Sequence, residues 1–398
     1  MIFRSVKTIK KCLPQANSLF RPFTTTATAT TTSSTNIAGT TIITPKITDT
    51  ISGVDNPIIE KKVTTPPQPI KPVVLNGKLL SSHIKESIKK DTADFIKNSG
   101  ITPHLVVIYV GDNKQIESYI KAKKTGCEEV GFRFTLDRFS SDITEAQLIK
   151  KIKYHSEDPS VHGIIVQLPL PENINRDNII QAIDPKKDVD GLTSINMGQI
   201  MVSKKPLFIP CTPLGILEIF KAYNIKLEGK NVAVLGRSNL VGRTIATLLS
   251  QKDMSNPSIM GGANVTTFHK YSKSYHHLLK NADVIISATG VPGLVKKEDL
   301  KKGVILIDVG INYKEDSSKK SGYRMVGDVD PESYEKSIAY TPVPGGVGPL
   351  TVACLLRNVL KSSILHYRIQ CSRLRAGVEN NIVDKKEKDL KSDNKNNQ

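Results

Sequence analysis

The chain has 398 residues, 38% of them hydrophobic and 24% charged, a composition typical of soluble globular proteins. Its net charge of +18 would suit a nucleic acid or a membrane surface, but the excess lies mainly toward the two ends, and the chain has no tryptophan and few other aromatic residues. We therefore expect two domains with tails, no nucleic-acid partner as the main role and no membrane span, since no apolar run approaches about 18 residues.

The composition of residues 1–72 predicts a mitochondrial transit peptide followed by a disordered linker. The segment MIFRSVKTIKKCLPQANSLFRPFTTTATATTTSST is basic, rich in serine and threonine and free of acidic residues. Sequence rich in threonine and proline continues to about residue 72 and is too polar to form a core. We expect location in the mitochondrial matrix; the alternative is a disordered tail without a targeting role.

The five cysteines favour a reducing compartment. They are scattered, odd in number and never spaced as C-x-x-C, which argues against a disulfide framework and against a thiolate zinc site. We interpret each as a packed thiol. Their positions are Cys12, Cys127, Cys211, Cys354 and Cys371.

Helix and strand signals alternate from about residue 73 to residue 349. Apolar runs typical of buried strands occur in HLVVIYVG, VHGIIVQLPLP, KNVAVLG, NVTTFH, ADVIISATG and GVILIDVG. Helical patterns lie between them, one with a possible capping box at Thr144 and Gln147. The predicted fold class is α/β, with two α/β domains built on parallel sheets and a ligand in the cleft between them.

VLGRSNLVG places Gly236 at the end of a strand and Gly242 at the start of a helix. Such a turn lets backbone N–H groups approach a pyrophosphate, although the spacing is not G-x-G-x-x-G and a plain strand–helix turn remains an alternative. The next strand ends at His269 and Lys270, where NAD sites usually carry an acid. With Arg237 in the first turn, this favours the 2′-phosphate of NADP or a bound inorganic phosphate in its place.

Tyr119 and Lys123 lie one turn apart on a predicted helix and share a face. Burial would lower the pKa of Lys123 and make it a proton donor, whereas a surface tyrosine beside a solvated lysine is the alternative. Gln167 follows a strand at its carboxyl end, where its amide can orient Lys123 or a substrate carbonyl. Asp188 and Asp190 have three possible roles, which are to form turns, to hold a metal or to clamp a heterocycle. The sequence alone does not distinguish among these roles.

Together these motifs resemble the methylenetetrahydrofolate dehydrogenase/cyclohydrolase family over about residues 73–366. SYIKAKKTGCEEVGF, GIIVQLPLP, DPKKDVDGLTSINMGQ, PCTPLGILEIF, VLGRSNLVGR and YTPVPGGVGPLTVACL occur in the family's order. The basic leader and the insertion SQKDMSNPSIMGGAN are most similar to the mitochondrial branch. The resemblance implies an N-terminal catalytic, folate-binding domain (73–205 with 350–370), a Rossmann NAD(P)-binding domain (206–349) and a disordered polar tail (371–398).

The resemblance implies two activities. Methylenetetrahydrofolate is oxidised with NAD(P)+ to the methenyl form, which is then hydrolysed to 10-formyltetrahydrofolate. Lys123 is then the catalytic proton shuttle, Gln167 places Lys123, Tyr119 stacks on the folate and Asp190 binds the pterin, with Asp188 structural. The implied substrate-binding residues are Tyr119, Lys123, Val166, Gln167, Leu168, Asp190, Pro344, Gly345, Gly346, Val347 and Gly348.

By the same resemblance, the TPVPGGVGP loop is a wall beside the folate. Its glycines let the backbone come close to a flat ligand and its prolines limit its motion. The last helix, from about Thr351, should return to pack on the first domain. Its apolar face is predicted to consist of Val352, Leu355, Leu356 and Val359.

For the cofactor, the resemblance implies that Gly236, Arg237 and Ser238 hold its phosphates, Ile311 lines the nicotinamide side and Lys270 approaches the 2′ position. The similar mitochondrial enzymes use NAD with inorganic phosphate and Mg2+, and their phosphate lies between two arginines. Here Lys270 stands at the second of those places, and a lysine lacks the bidentate fork of an arginine. Both NAD and NADP therefore remain, as does Mg2+.

Asp253, in the insertion, is the candidate metal ligand, although the GGAN end of the insertion lacks the aspartate expected there. We expect a homodimer formed through the Rossmann domain and, because the chain ends in a polar tail, no formate-ligase domain. Two other functions remain as alternatives. One is a monofunctional methylenetetrahydrofolate dehydrogenase, and the other is a catalytically silent binding protein.

Overall fold

The computed structural model describes residues 71–252, 261–318 and 322–396, with side chains except at 114–115 and 377–396. Asp253 and the predicted transit peptide therefore lie outside the described residues. Within the described ranges, no helix has the length and apolar character needed to cross a membrane.

The first α/β unit contains a parallel three-stranded sheet in the order β3-β2-β4. Every residue of β2 is buried, as expected for a strand with neighbours on both sides and helices on both faces. Its elements are helix α1 (Gly77–Ser99), β2 (His104–Val110), α2 (Lys114–Val130), β3 (Arg133–Phe139), α3 (Glu145–Glu157), β4 (Gly163–Val166), α4 (Arg176–Gln181), α5 (Ser194–Met201) and α6 (Cys211–Ala222).

The second unit is a parallel six-stranded sheet in the order β1-β11-β8-β7-β5-β6. The chain leaves β5 for β6 on one side and then crosses to β7 on the other, so the switch point lies at the carboxyl end of β5. The elements are β1 (Val73–Val74), β5 (Asn231–Leu235), α7 (Gly242–Ser250), β6 (Asn264–Phe268), α8 (His276–Leu279), β7 (Val284–Ser287), β8 (Val304–Asp308) and β11 (Ser337–Tyr340).

Two features of this unit depart from a simple series of strands and helices. β9 (Asn312–Glu315) and β10 (Tyr323–Val326), which lie between β8 and β11 along the chain, form a separate antiparallel pair. β1, which the sequence boundaries placed with the first domain, pairs in parallel with β11 at the edge of the larger sheet.

The last helix, α9 (Val347–Asn396), confirms the predicted return to the first unit. Ser81 on α1 donates to the Pro349 carbonyl at 2.9 Å, and the rings of Phe95 and Tyr367 meet edge to face at 6.0 Å between centroids. Leu355, Leu356 and Val359 are buried, as predicted. The α9 helix begins at Val347, before the predicted start at Thr351, and Val347 is itself buried in the core.

The α9 helix also continues through residues 371–396, which were predicted to be a disordered tail. Many of these residues are lysine, glutamate, arginine and leucine, which lose little side-chain freedom in a helix. Polarity alone therefore does not end a helix.

Candidate active site

The predicted pair Lys123 and Gln167 is in direct contact. The Lys123 ammonium donates to Gln167 Oε1 at 2.6 Å, and Gln167 Nε2 in turn donates to the Leu168 carbonyl at 2.9 Å. Gln167 follows the last residue of β4, and its backbone N–H still bonds to Ile108 of β2, so the sheet fixes the amide. Tyr119 lies one turn before Lys123 on α2 and is 37% exposed.

Asp190 lies near this pair. A parallel bridge between Ile164 and Asp188 sets the segment that contains Asp190 beside β4, level with its end. Burial lowers the pKa of Lys123 and raises the pKa of Asp190, because each charge loses its water. Each group opposes the other's shift, so the two charges stabilise one another.

Asp188 faces away from this pair and organises the loop. Its buried carboxylate accepts hydrogen bonds from the N–H groups of Leu192 (3.1 Å) and Thr193 (2.8 Å) and from the side chain of Asn196 (2.8 Å). All three donors belong to the start of α5 or to the loop before it. The geometry supports the distinction between a structural Asp188 and an available Asp190.

Cys211 is a site residue that the sequence pattern did not indicate. It begins α6, and its thiol donates to the carbonyl of Val189, the residue before Asp190, at 3.4 Å. Burial raises the pKa of the Cys211 thiol, so it is a neutral donor. Asn358 of α9 donates to the Val189 carbonyl at 2.8 Å and so holds the same loop from the other side. The only sequence signal was the position of Cys211 just before a predicted helix.

The predicted folate wall packs on the first turn of α1. A Cβ on Gly77 would lie 1.8 Å from the Gly346 carbonyl oxygen, so only glycine fits there. Gly345 has φ +106°, and its carbonyl accepts from the N–H of Lys78 at 2.8 Å. Pro344 and Gly348 are exposed, whereas Val347 is 2% exposed and packs in the core. Of the predicted substrate-binding residues, Val347 and Val166 are buried and Leu168 is half-buried.

The glycine turn after β5 has the close backbone approach that a dinucleotide site requires. Gly236 has φ +107°, and a Cβ there would lie 2.4 Å from the Ala288 carbonyl oxygen. A Cβ on Gly242 would lie 2.1 Å from the Gly236 carbonyl oxygen. The Ser238 hydroxyl accepts from the N–H of Val241 at 3.3 Å, which closes the turn. This geometry fits NAD or NADP.

Arg237 shares a groove with Arg243, a residue that the sequence pattern did not single out. The groove has a volume of about 380 Å³ between α7 and β6 and is lined by Arg237, Arg243, Ala246, Thr247, Ser250, Val265 and Thr267. Lys270 is not part of this lining; its ammonium lies over the Tyr271 ring, 4.9 Å from the centroid. The groove is therefore cationic through two arginines.

A second cavity joins the two units. It has a volume of about 450 Å³ and lies between α4 and α5 on one side and the turn before α7 on the other. Leu168, next to Gln167, lines one wall, and Leu240 and Arg243 line the other. The cleft thus runs from Leu168, the residue after Gln167, to Leu240 in the glycine turn.

Among residues 71–252, 261–318 and 322–396, no group of three or more His, Cys, Asp or Glu side chains is arranged to hold a metal ion. The candidate ligand Asp253 lies in the gap between the first two ranges.

Comparison with known proteins identifies the family of both units. The model of the tetrahydrofolate dehydrogenase/cyclohydrolase catalytic domain matches residues 75–190, and the model of the NAD(P)-binding domain of that family matches residues 210–367. The bifunctional protein FolD of Nautilia profundicola is 44% identical over 73% of this chain and 96% of its own length. The chloroplastic bifunctional protein FolD 4 of Arabidopsis thaliana is 42% identical over 73% of this chain and 79% of its own.

Solved structures of enzymes from the same family also match this chain. The FolD methylenetetrahydrofolate dehydrogenase/cyclohydrolase of Campylobacter jejuni matches with a TM-score of 0.67 and 42% identity over 73% of this chain and 98% of its own. The Trypanosoma brucei enzyme, solved with NADP and an inhibitor, matches with a TM-score of 0.69 and 33% identity over 73% of this chain and 97% of its own.

We predict that Asp188→Ala lowers the free energy of unfolding by about 2–4 kcal/mol, because it leaves three donors without their acceptor. Urea unfolding measures this change. The control is Asp94→Ala, an exposed acid on α1, for which we expect a change within about 0.5 kcal/mol. Equal unfolding midpoints for the two variants would contradict the structural role of Asp188.

Proposed function

The chain belongs to the tetrahydrofolate dehydrogenase/cyclohydrolase family, and we propose that it oxidises 5,10-methylenetetrahydrofolate with NAD(P)+ and hydrolyses the methenyl product to 10-formyltetrahydrofolate. The observation that carries this proposal is the hydrogen bond between Lys123 and Gln167, because the next residue, Leu168, lines a cleft that reaches the dinucleotide turn. The first contact suits proton transfer and the turn suits hydride transfer. One cleft therefore serves both reactions.

The dehydrogenase step requires positioning rather than a protein base. The bound nicotinamide supplies a hydride acceptor, and the lone pair of a folate nitrogen drives hydride loss from the methylene carbon. The task of this chain is to hold two flat molecules face to face. Ile311 would line the nicotinamide side, and the turn of Gly236, Arg237 and Ser238 would hold the phosphates.

In the hydrolytic step, water adds to the methenyl carbon and the bond from that carbon to N5 breaks. The attacking water loses both of its protons, one as it adds and one from the adduct hydroxyl as the formyl carbonyl forms. N5 gains one proton, and the other is released to solvent. Lys123 can accept the first proton because burial lowers its pKa and so favours the neutral amine. It can then return a proton to N5 as a general acid. Gln167 Oε1 accepts from the Lys123 ammonium and keeps it in place.

The remaining contacts support a flat, amine-bearing substrate. Asp190 carries a half-buried carboxylate that can accept hydrogen bonds from the amino group of the pterin. The exposed part of the Tyr119 ring can stack on the folate. The loop of Pro344, Gly345 and Gly346 would form the opposite wall. A catalytically silent binding protein would not need the polarised contact between Lys123 and Gln167.

We propose that the cofactor is NADP, with Arg237 and Arg243 near its 2′-phosphate. Two guanidinium groups in one groove can bind a phosphate through several charge-assisted hydrogen bonds. The strand that precedes His269 ends without an acid to bind a ribose hydroxyl. The alternative is NAD with inorganic phosphate in the same groove and Mg2+ held by Asp253.

We predict that Lys123→Met lowers methenyl hydrolysis by at least about 100-fold, the usual scale of general acid–base catalysis, while NADP still binds. Methenyl absorbance follows the hydrolysis, and calorimetry follows NADP binding. Lys124→Met is the matched control, because this neighbouring side chain is 60% exposed and pairs with Glu128. Retained hydrolysis in Lys123→Met would remove the catalytic role.

We predict that Arg243→Ala raises the KM for NADP by about tenfold or more and changes the KM for NAD little, because only NADP carries the phosphate. Steady-state rates of nicotinamide reduction measure both constants. Arg324→Ala, an exposed arginine on β10, is the control. NAD-linked activity that requires both Mg2+ and phosphate, with Arg243→Ala weakening phosphate instead, would favour the alternative.

We also propose that the enzyme acts in the mitochondrial matrix as a homodimer formed through the Rossmann unit. The basic, acid-free leader supports the location, and the family resemblance supports the dimer. We predict that isolated mitochondria import the full chain but not residues 73–398. Sedimentation at several protein concentrations tests the dimer, and a monomer at micromolar concentration would contradict it.

A further inference from the structure

Asp328 is a fully buried acid whose carboxylate joins two loops of the second unit. Its Oδ2 atom accepts hydrogen bonds from Ser287 Oγ (3.0 Å), from the N–H (2.7 Å) and the hydroxyl (2.9 Å) of Thr289 and from the N–H of Gly290 (3.2 Å). Its Oδ1 atom accepts from Asn312 Nδ2 at 3.0 Å. One carboxylate therefore holds the loop that follows β7 and, through Asn312, the turn that leads from β8 into β9.

Both loops leave the carboxyl ends of parallel strands, where open α/β sheets bind their ligands. β7 pairs with β8 on one side and with β5, the strand that precedes the glycine turn, on the other. A Cβ on Gly236 would lie 2.4 Å from the carbonyl oxygen of Ala288. The loop after β7 therefore borders the dinucleotide turn directly.

The order of the strands indicates which half of a dinucleotide these loops would meet. In a Rossmann unit the end of the second strand binds the adenosine ribose, and the first turn binds the pyrophosphate. Here the second strand is β6, at the edge of the sheet, whereas β7 and β8 lie on the opposite side of β5. A dinucleotide that spans the turn after β5 would therefore extend its nicotinamide half toward β7 and β8.

The two loops remain accessible beside their buried anchor. Gly290 is exposed, and Val291 is 48% exposed. Ile311, which precedes Asn312, is half-buried. The carboxylate of Asp328 thus lies beneath the loops and holds them without being part of the surface that a ligand would touch.

The backbone of Asp328 is itself held in place by a second acid. Asp308, at the end of β8, accepts from the N–H groups of Asp328 (3.0 Å) and Val329 (2.9 Å). A Cβ on Gly310 would lie 2.0 Å from Asp328 Oδ1, and a Cβ on Gly327 would lie 1.9 Å from Asp308 Oδ2. There is no space for a side chain at either glycine, so the carboxylate has a fixed position between the two loops.

We propose that Asp328 is a positioning residue for the nicotinamide half of the cofactor: its carboxylate fixes the loop after β7 relative to the turn after β8, so that the two bind the nicotinamide half in one orientation. The proposal rests on the proposed function, because it assumes a dinucleotide at the turn of Gly236. It adds a residue that does not touch the cofactor but acts through Thr289, Gly290 and Asn312.

The first test is Asp328→Asn, which keeps one oxygen but presents an amide where Asn312 donates. With the dinucleotide that the wild-type enzyme uses, we expect the KM to rise about tenfold, the scale of one charge-assisted hydrogen bond. Hydrolysis of supplied methenyltetrahydrofolate should keep its wild-type rate, because it needs no dinucleotide and Lys123 and Gln167 lie in the first unit. Glu315→Gln, an exposed acid on β9, is the matched control for the lost charge and should change neither activity.

A double-mutant cycle then tests the contact itself. Asn312→Asp places a carboxylate against that of Asp328 and should raise the same KM by about tenfold or more, because like charges at hydrogen-bond distance repel. The double variant exchanges donor and acceptor and should restore the KM to within about twofold of the wild type. Calorimetry with the dinucleotide should show the same order of affinities.

Other outcomes would overturn the proposal. An unchanged KM in Asp328→Asn, or effects that multiply in the double variant, would mean that this contact does not orient the cofactor. Equal losses of both activities together with a lower unfolding midpoint would mean that Asp328 serves stability alone. Wild-type protein that neither binds a dinucleotide nor oxidises methylenetetrahydrofolate refutes the proposed function as well, whereas normal wild-type turnover with an unaffected Asp328→Asn refutes only the role of Asp328.

Discussion

A lysine amine kept out of bulk water beside a carboxylate is the feature on which the active site depends. Burial disfavours the charge on Lys123 and on Asp190, and each offsets part of the other's cost. Such a pair is useful only when its surroundings are rigid. Gln167 at the end of β4 supports the lysine, and Asn358 on α9 supports the loop of the aspartate. Both supports come from the first unit, one from β4 and the other from α9, which packs on that unit.

Much of this arrangement could be predicted from the sequence, because it lies where strands end. Gln167 and Gly236 each follow a short apolar run, and the carboxyl ends of parallel strands face the ligand. Helix α1 and strand β3 were not predicted. The α1 helix is mostly polar with a narrow apolar stripe, and β3 is a half-exposed edge strand that carries Arg133, Asp137 and Arg138. Tertiary packing, rather than local pattern, forms both elements.

Contacts between distant parts of the chain could not be predicted. The thiol of Cys211 bonds to the Val189 carbonyl 22 residues away, and Asn358 reaches the same carbonyl from 169 residues away. The part of Arg243 in the groove of Arg237 could not be predicted either, because it depends on which face of α7 turns toward that groove. A linear pattern carries no such information.

The return of α9 to the first unit has a consequence for synthesis. During synthesis, α1 and the strands β2, β3 and β4 emerge from the ribosome more than 150 residues before α9. The α9 helix is the element that covers their apolar surface. Domains generally fold as units while the chain emerges, and exposed apolar surface is prone to aggregation. The strands β5 to β11 are then all available before the first unit can close. The first unit is therefore completed only when α9 has been synthesised, and part of its apolar surface stays exposed until then.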